Sequence, residues 1–121
     1  MFNIIFFYQN CFSADFKDCN HKAFYVKNIK ADVTSDTIVK AKLLAENEAL
    51  YGALIRLIQR LTLKKKDKIK FEIDIRNFID FIKINNEANS TNRFVASFDV
   101  CFNRKAIIKL FKSYDLSYAE V

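Results

Sequence analysis

Residues 34–62 read TSDTIVKAKLLAENEALYGALIRLIQRLT, and their apolar pattern decides the fold. Thr34 or Ser35 can cap a helix, and Asp36 then lies in the first turn, where the helix dipole favours a negative charge. Apolar residues recur at the i, i+3, i+4 spacing of one helix face; they are Val39, Leu43, Leu44, Ala45, Ala49, Ala53, Leu54, Leu57, Ile58 and Leu61. The stretch therefore predicts an amphipathic helix of about 26 residues, roughly 39 Å long.

Two other stretches alternate as β-strands do. Residues 23–33 (AFYVKNIKADV) place Phe24 and Val26 on one side, but the phase slips before Ile29, as a β-bulge would make it do. Residues 93–102 (RFVASFDVCF) alternate without interruption. One face of this strand carries Phe94, Ala96, Phe98, Val100 and Phe102. The other face, which we expect to be exposed, carries Arg93, Val95, Ser97, Asp99 and Cys101.

The stretch between the helix and the last strand fits two structures. Apolar residues alternate like a strand at positions 69, 71, 73 and 75, whereas those at 75, 78, 79 and 82 share one helix face. We interpret it as a short helical turn over 74–80, a strand over 81–87 and a turn at 88–92. Asn103 then caps a final helix in RKAIIKLFKSY. The order predicts an α+β fold, β-α-(short α)-β-β-α, in which one long and one shorter helix cover one face of a three-stranded antiparallel sheet.

The composition is that of one globular domain. The chain has 121 residues, of which 51% are apolar and 28% charged, and this balance argues against a disordered protein. The net charge of +6 has two explanations. A basic surface can bind nucleic acid or anionic membranes, but a composition rich in Lys, Asn, Ile and Phe also follows from codon usage in AT-rich genomes. The charge alone therefore does not assign a polyanionic partner.

No set of residues in the sequence forms a recognisable catalytic or ligand-binding motif. The one glycine, Gly52, falls inside the predicted helix, which excludes a glycine-rich phosphate loop. Cys19 and His21 lack the second pair of ligands that structural zinc requires. As neighbours on an N-terminal segment, they are also not held accurately enough for Cys–His catalysis. We therefore expect a non-enzymatic protein without a metal or another cofactor.

Residues 1–14 (MFNIIFFYQNCFSA) are predicted to be an incomplete signal peptide. Ile4 to Tyr8 form a short apolar region, and cleavage after Ser13 or Ala14 would leave a small residue at the cut. However, no Lys or Arg precedes that region, and it is shorter than the usual span of roughly 7–15 residues. No stretch approaches the ~20 apolar residues that cross a bilayer, so we expect no transmembrane anchor. Residues 15–121 are then expected to form a single α+β domain.

A family resemblance covers residues 23–120. It rests on alanines at four-residue spacing (Ala41, Ala45, Ala49), on the helix ending Arg60, Leu61, Thr62, and on a strand carrying Arg93, Phe94, Ala96 and Phe102. In order and spacing these features resemble the bacterial domain of unknown function 2066. That resemblance implies an exported protein of Gram-negative bacteria. It also implies that this chain corresponds to the N-terminal module of longer members, and it brings no catalytic residues with it.

Together these observations predict an accessory or protein-interaction domain of the bacterial cell envelope, in the periplasm or at the envelope. Its partner is expected to be another envelope protein. The partner would meet the uncovered face of the sheet, at Lys83, Asn85, Val95, Ser97 and Asp99, or add a strand to a sheet edge. Export would remove Cys11 and leave Cys19 and Cys101 in an oxidising compartment, where the two can form one disulfide.

The alternative is a small basic cytosolic protein, in which all three cysteines stay reduced. It would bind RNA or another polyanion through the loop residues Lys64, Lys65, Lys66 and Lys68. The outward face of the strand at 93–102 has no aromatic side chain on which a base could stack, which argues against RNA recognition by the sheet. We therefore consider nucleic acid the less favoured partner.

Overall fold

A short 3₁₀ turn, Lys22–Phe24, leads into the first strand of the fold. The computed structural model describes residues 18–62 and 73–120. The further elements are strand β1 (Tyr25–Thr34), helix α1 (Ile38–Thr62), a second 3₁₀ turn (Ile75–Phe78), strands β2 (Ile79–Asn89) and β3 (Arg93–Phe102), and helix α2 (Arg104–Ser113). The predicted α+β fold, with one long and one shorter helix, is confirmed.

The sheet is antiparallel, and β3 lies between β1 and β2. The register of β1 on β3 shifts between Val26 and Ile29, which confirms the bulge predicted at that point. Within the bulge Asn28 has a φ of 61°, a left-handed conformation that asparagine adopts more readily than most other residues. The bulge lets Val26 and Ile29 both face the core, where both are buried.

Helix α1 packs on β1 and β3 through a row of alanines. Ala41, Ala45 and Ala49 are fully buried, and such small side chains let a helix approach a sheet closely. From β3 the alternate residues Phe94, Ala96, Phe98, Val100 and Phe102 enter the same core, as the alternation predicts. Ile107 and Phe111 of α2 belong to this core as well, so both helices cover one face of the sheet.

The start of the apolar stripe on α1 was predicted wrongly. Val39, Leu43 and Leu44 are 76%, 56% and 44% exposed, although the spacing places them on the buried side. Successive residues of a helix are 100° apart around its axis. In the first turns the side that carries the buried alanines faces the sheet, and the three large side chains lie outside that side. The residues Leu54, Leu57, Ile58 and Leu61 of the second half of the helix are buried as predicted.

The 3₁₀ turn before β2 and the start of α2 meet at one end of the sheet. The side chain of Asn103 accepts a hydrogen bond from the Ala106 N–H at 2.9 Å, which confirms Asn103 as the N-cap of α2. The helical turn before β2 is shorter than predicted, because Ile79 already belongs to the strand. The Asn103 N–H donates to the Phe78 carbonyl at 2.8 Å, which joins this turn to the start of α2.

Candidate interaction surface

The second face of the sheet carries no helix of the described ranges, and we call it the uncovered face. Residues directly opposite each other in an antiparallel pair share a face. The register therefore places successive rows across the three strands on this side. From β1, β3 and β2 in turn, these rows are Tyr25–Cys101–Phe81, then Asp99–Lys83 beside the bulge of β1, then Lys30–Ser97–Asn85, and finally Asp32–Val95–Ala88.

The five residues predicted as an interaction surface do lie together on this face. Lys83 is opposite Asp99, Asn85 is opposite Ser97, and Val95 follows along β3. Lys83 is exposed, and Asn85 and Val95 are half-buried.

The prediction that the whole outward side of β3 is exposed was wrong. Ser97, Asp99 and Cys101 are only 7%, 9% and 2% exposed. The physical reason is that β3 is the central strand, so side chains of β1 and β2 stand on both sides of it. Cys101 is further covered by the N-terminal segment to which it is bonded. A partner would therefore contact the outer strands first.

Asp99 connects both outer strands to the centre of the uncovered face. Its carboxylate oxygen Oδ1 accepts a hydrogen bond from the Asn28 N–H in the bulge at 2.9 Å, and Oδ2 accepts one from Asn85 Nδ2 at 3.0 Å. A buried carboxylate with both oxygens hydrogen-bonded fixes the geometry around it. Asp99 therefore holds the bulge and orients Asn85, rather than offering free acceptors to a ligand.

A disulfide closes one end of the uncovered face. The Sγ atoms of Cys19 and Cys101 are 2.09 Å apart and the Cα atoms 5.7 Å apart, so the structure places the two cysteines of the predicted pair at bonding distance. Since both thiols are used in this bond, Cys19 has no thiolate to offer a metal beside His21. Within residues 18–62 and 73–120 no cluster of three or more His, Cys, Asp or Glu is arranged for a metal ion.

An aromatic pair stands beside the disulfide. The ring centroids of Tyr25 and Phe81 are 6.0 Å apart, and Lys27 Nζ lies 5.0 Å from the centroid of the Tyr25 ring. Burial, and then the negative charges of Asp99 and Asp18, raise the pKa of Tyr25 above its ordinary value of 10.0, so this phenol is neutral at physiological pH. This end of the face therefore offers apolar area with a lysine at its side.

A groove of about 740 Å³ occupies the other end of the uncovered face. The groove is lined by eight residues, which are Asn28, Lys30, Ala31, Asp32, Asn86, Val95, Ala96 and Ser97. The sequence predicted Val95 and Ser97 as surface residues and missed the other six. Asn28 and Asn86 both have positive φ, at 61° and 54°, and lie at the register shifts of β1 and β2. The phase slip before Ile29 was a signal for the first of these positions.

An ion pair borders the groove. Arg93 Nε donates to Asp32 Oδ1 at 2.9 Å, and a second guanidinium nitrogen donates to Oδ2 at 2.7 Å. The hydrogen bonds from Arg93, together with its positive charge, hold the pKa of Asp32 below its usual value of 3.8. Both side chains are about half exposed, so the pair orders the rim of the groove without being buried.

Lowering the pH is expected to break the ion pair between Asp32 and Arg93. Because the pKa of Asp32 is lower in the folded protein than in the unfolded chain, its contribution to stability is present above about pH 4 and is lost as the pH falls through the lowered pKa. A carbon-13 NMR titration of the Asp32 carboxyl should give a pKa that rises when Arg93 is replaced by alanine. The protein unfolded in urea supplies the reference pKa. An identical pKa in wild type and Arg93→Ala would contradict the expectation.

Two predicted segments lie outside the described residues. They are the signal peptide, residues 1–14, and the basic loop with Lys64, Lys65, Lys66 and Lys68. In the described part of the chain, no helix combines the length and the apolar character that a bilayer-spanning segment needs.

Comparisons with protein-family models, with curated proteins and with solved structures gave no match to this chain. The resemblance to the domain of unknown function 2066 therefore stays a prediction from the sequence.

Proposed function

We propose that this protein is a non-enzymatic interaction domain of the bacterial cell envelope, and that it binds another envelope protein through the uncovered face. The observation that carries the proposal is the groove of about 740 Å³ on a sheet face over which no helix of the described ranges lies. A concave surface of this size on a sheet gives a partner side chain a place to insert.

The chemistry of the face fits recognition of a protein. Tyr25 and Phe81 supply apolar area at one end, and Val95 supplies it in the groove. Lys30 and Lys83 are exposed and have no acidic partner among the described residues. Apolar and aromatic area with polar groups around it is the composition typical of non-obligate interfaces.

The disulfide supports the envelope as the compartment. Bonds between cysteines persist in the periplasm and outside the cell, whereas the cytosol keeps most thiols reduced. The bond between Cys19 and Cys101 joins the N-terminal segment to the central strand of the sheet. A protein that depends on this bond would fold to its full stability only after export.

Photo-crosslinking in cells tests the binding surface. A photoreactive phenylalanine analogue replaces Val95 or Lys30 on the uncovered face, or, as a matched control, the 56%-exposed Leu43 on the outer side of α1. We expect the two face positions to give the same discrete crosslinked protein and Leu43 to give none. Crosslinks from Leu43 but not from Val95 or Lys30 would place the interface on the helix layer and contradict the proposal.

Alkaline phosphatase fusions test the compartment separately. We expect activity when residues 1–14 are kept and its loss when they are deleted, because the enzyme is active only after export. A fusion that remains inactive in both forms would contradict an envelope location. It would favour the cytosolic alternative, which salt-dependent retention on heparin would then test.

A further inference from the structure

The two edges of the sheet differ in how their backbone groups are used. At the start of β1 the guanidinium of Arg60 donates to the carbonyls of Ala23 and Tyr25 at 3.0 and 2.8 Å. Arg56 lies 3.5 Å from the carbonyl of Lys27. Helix α1 therefore occupies backbone acceptors at residues 23–27, at the start of this edge, and the bulge at Asn28 distorts the strand next to them. Both devices discourage a further strand from pairing there.

The opposite edge, β2, has no such cover within the described residues. At the start of the strand the Ile79 N–H donates to the carbonyl of Arg76 in the preceding turn. Among the described residues, no hydrogen bond from outside the sheet reaches a backbone group of residues 81–85. Register shifts lie between Ile79 and Phe81 and between Asn85 and Ala88. Between them runs a regular segment, 81–85, which we call the open edge segment. Within the described ranges nothing pairs with its outward backbone groups, which an added strand can therefore engage.

The helix layer also stops short of this edge. Helix α1 packs against β1 and β3, and Ile82 and Ile84 of β2 stay half-buried. Their partners across the sheet, Val100 and Phe98, are completely buried. Two isoleucines at an unpaired edge are an apolar surface that another strand can cover with its own apolar side chains.

Lys83 lies between these isoleucines in the chain and on the opposite face of the sheet. It is exposed and has no acidic partner in the described ranges. Asp99 lies opposite Lys83 on β3, but its oxygens accept hydrogen bonds from Asn28 and Asn85, and no ion pair joins it to Lys83. A carboxylate on an incoming strand would lie on the other side of Lys83 and pair with its exposed ammonium group. Pairing of two copies centred on the open edge segment would instead set Lys83 against Lys83, which is unfavourable.

We propose that the open edge segment accepts an extended segment of a partner protein as a fourth strand, one in which apolar and acidic residues alternate. Apolar side chains of that segment pack on Ile82 and Ile84, and a carboxylate lies opposite Lys83. Main-chain hydrogen bonds to β2 give the affinity, and the alternation gives the specificity. This site shares Lys83 with the uncovered face but lies at the edge of β2, and it goes beyond the interaction proposed for that face.

Three synthetic ten-residue peptides test the proposal. One alternates valine with glutamate, one alternates valine with lysine, and one has the composition of the first without its alternation. The whole protein is labelled with nitrogen-15, and amide shifts and hydrogen exchange are followed. We expect only the alternating acidic peptide to bind, with slowed exchange at 81–85 and little change at Lys30 and Val95. Strand addition predicts this protection because it buries the outward amides of the edge.

Reversing the charge of Lys83 provides a second, more specific test. Lys83→Glu is expected to weaken the acidic peptide roughly two- to tenfold and to strengthen the basic one. Lys30→Glu makes the same charge change on β1 and should leave the preference unchanged. The proposal is overturned if neither alternating peptide binds, if both bind equally, or if the chain instead self-associates through β2. Shifts confined to Lys30 and Val95 also overturn it, while they support the function proposed for the uncovered face.

Discussion

Replacing Cys19 with serine is expected to lower the free energy of unfolding by about 4 kcal/mol, because it removes a cross-link between residues 82 positions apart. A loop of this length restricts the unfolded chain strongly, and the chain-entropy estimate for it is about 4.5 kcal/mol. The expected loss in the free energy of unfolding is slightly below this estimate, since Cys101 stays within the sheet. Urea denaturation of the oxidised variant and of wild type, analysed with a common slope, measures the difference.

In the full chain, with residues 1–14 retained, Cys11→Ser is the matched control, since it removes a cysteine but leaves the pair intact. This variant should unfold like wild type without reductant, and both should shift to the midpoint of Cys19→Ser when reductant is added. Thiol titration of the unfolded, non-reduced Cys11→Ser protein should find no free thiol. Two free thiols in that protein, or a wild-type midpoint indifferent to reductant, would remove the disulfide and with it the main support for an oxidising compartment.

The strands were predictable because local patterns determine them. The even-numbered residues of β3 are all apolar, whereas three of the five odd-numbered ones are polar or charged. In β1 the phase slip before Ile29 marks the bulge. A bulge must shift the alternation by one residue wherever it occurs, so it leaves a trace in the sequence. The cap at Asn103 follows from the same kind of local evidence.

Local sequence patterns did not predict which side of helix α1 is buried. Val39, Leu43 and Leu44 fit an apolar stripe, but the close approach at Ala41, Ala45 and Ala49 decides which side of α1 meets the sheet. The spacing of apolar residues does not determine which side of α1 faces the sheet, because that side depends on how closely the helix and the sheet can approach each other. This is why the spacing wrongly places Val39, Leu43 and Leu44 on the buried side, whereas Ala41, Ala45, Ala49 and Leu50 occupy it.

The features on which the two binding proposals rest arise from contacts between distant residues. Arg60 caps carbonyls at the start of β1, 35 and 37 positions away, and Asp99 bonds Asn28, 71 positions away. No periodicity within β1 indicates which backbone groups a helix side chain will occupy. The contrast between the capped start of β1 and the β2 edge, which nothing in the described ranges caps, therefore appears only once the sheet order is known. The same holds for the burial of Ser97, which follows from its place on the central strand.

Alanine substitutions on the two faces of β3 are expected to differ sharply. Phe98→Ala should lower the free energy of unfolding by about 3–5 kcal/mol, because the ring is completely buried against the helix layer and its loss leaves a cavity. Val95→Ala lies three residues away on the uncovered face, is half-buried, and should cost less than about 1 kcal/mol. Urea denaturation of both variants measures the contrast. Equal losses would mean that the two faces are equally buried, and an interaction surface on the side of Val95 would then have no basis.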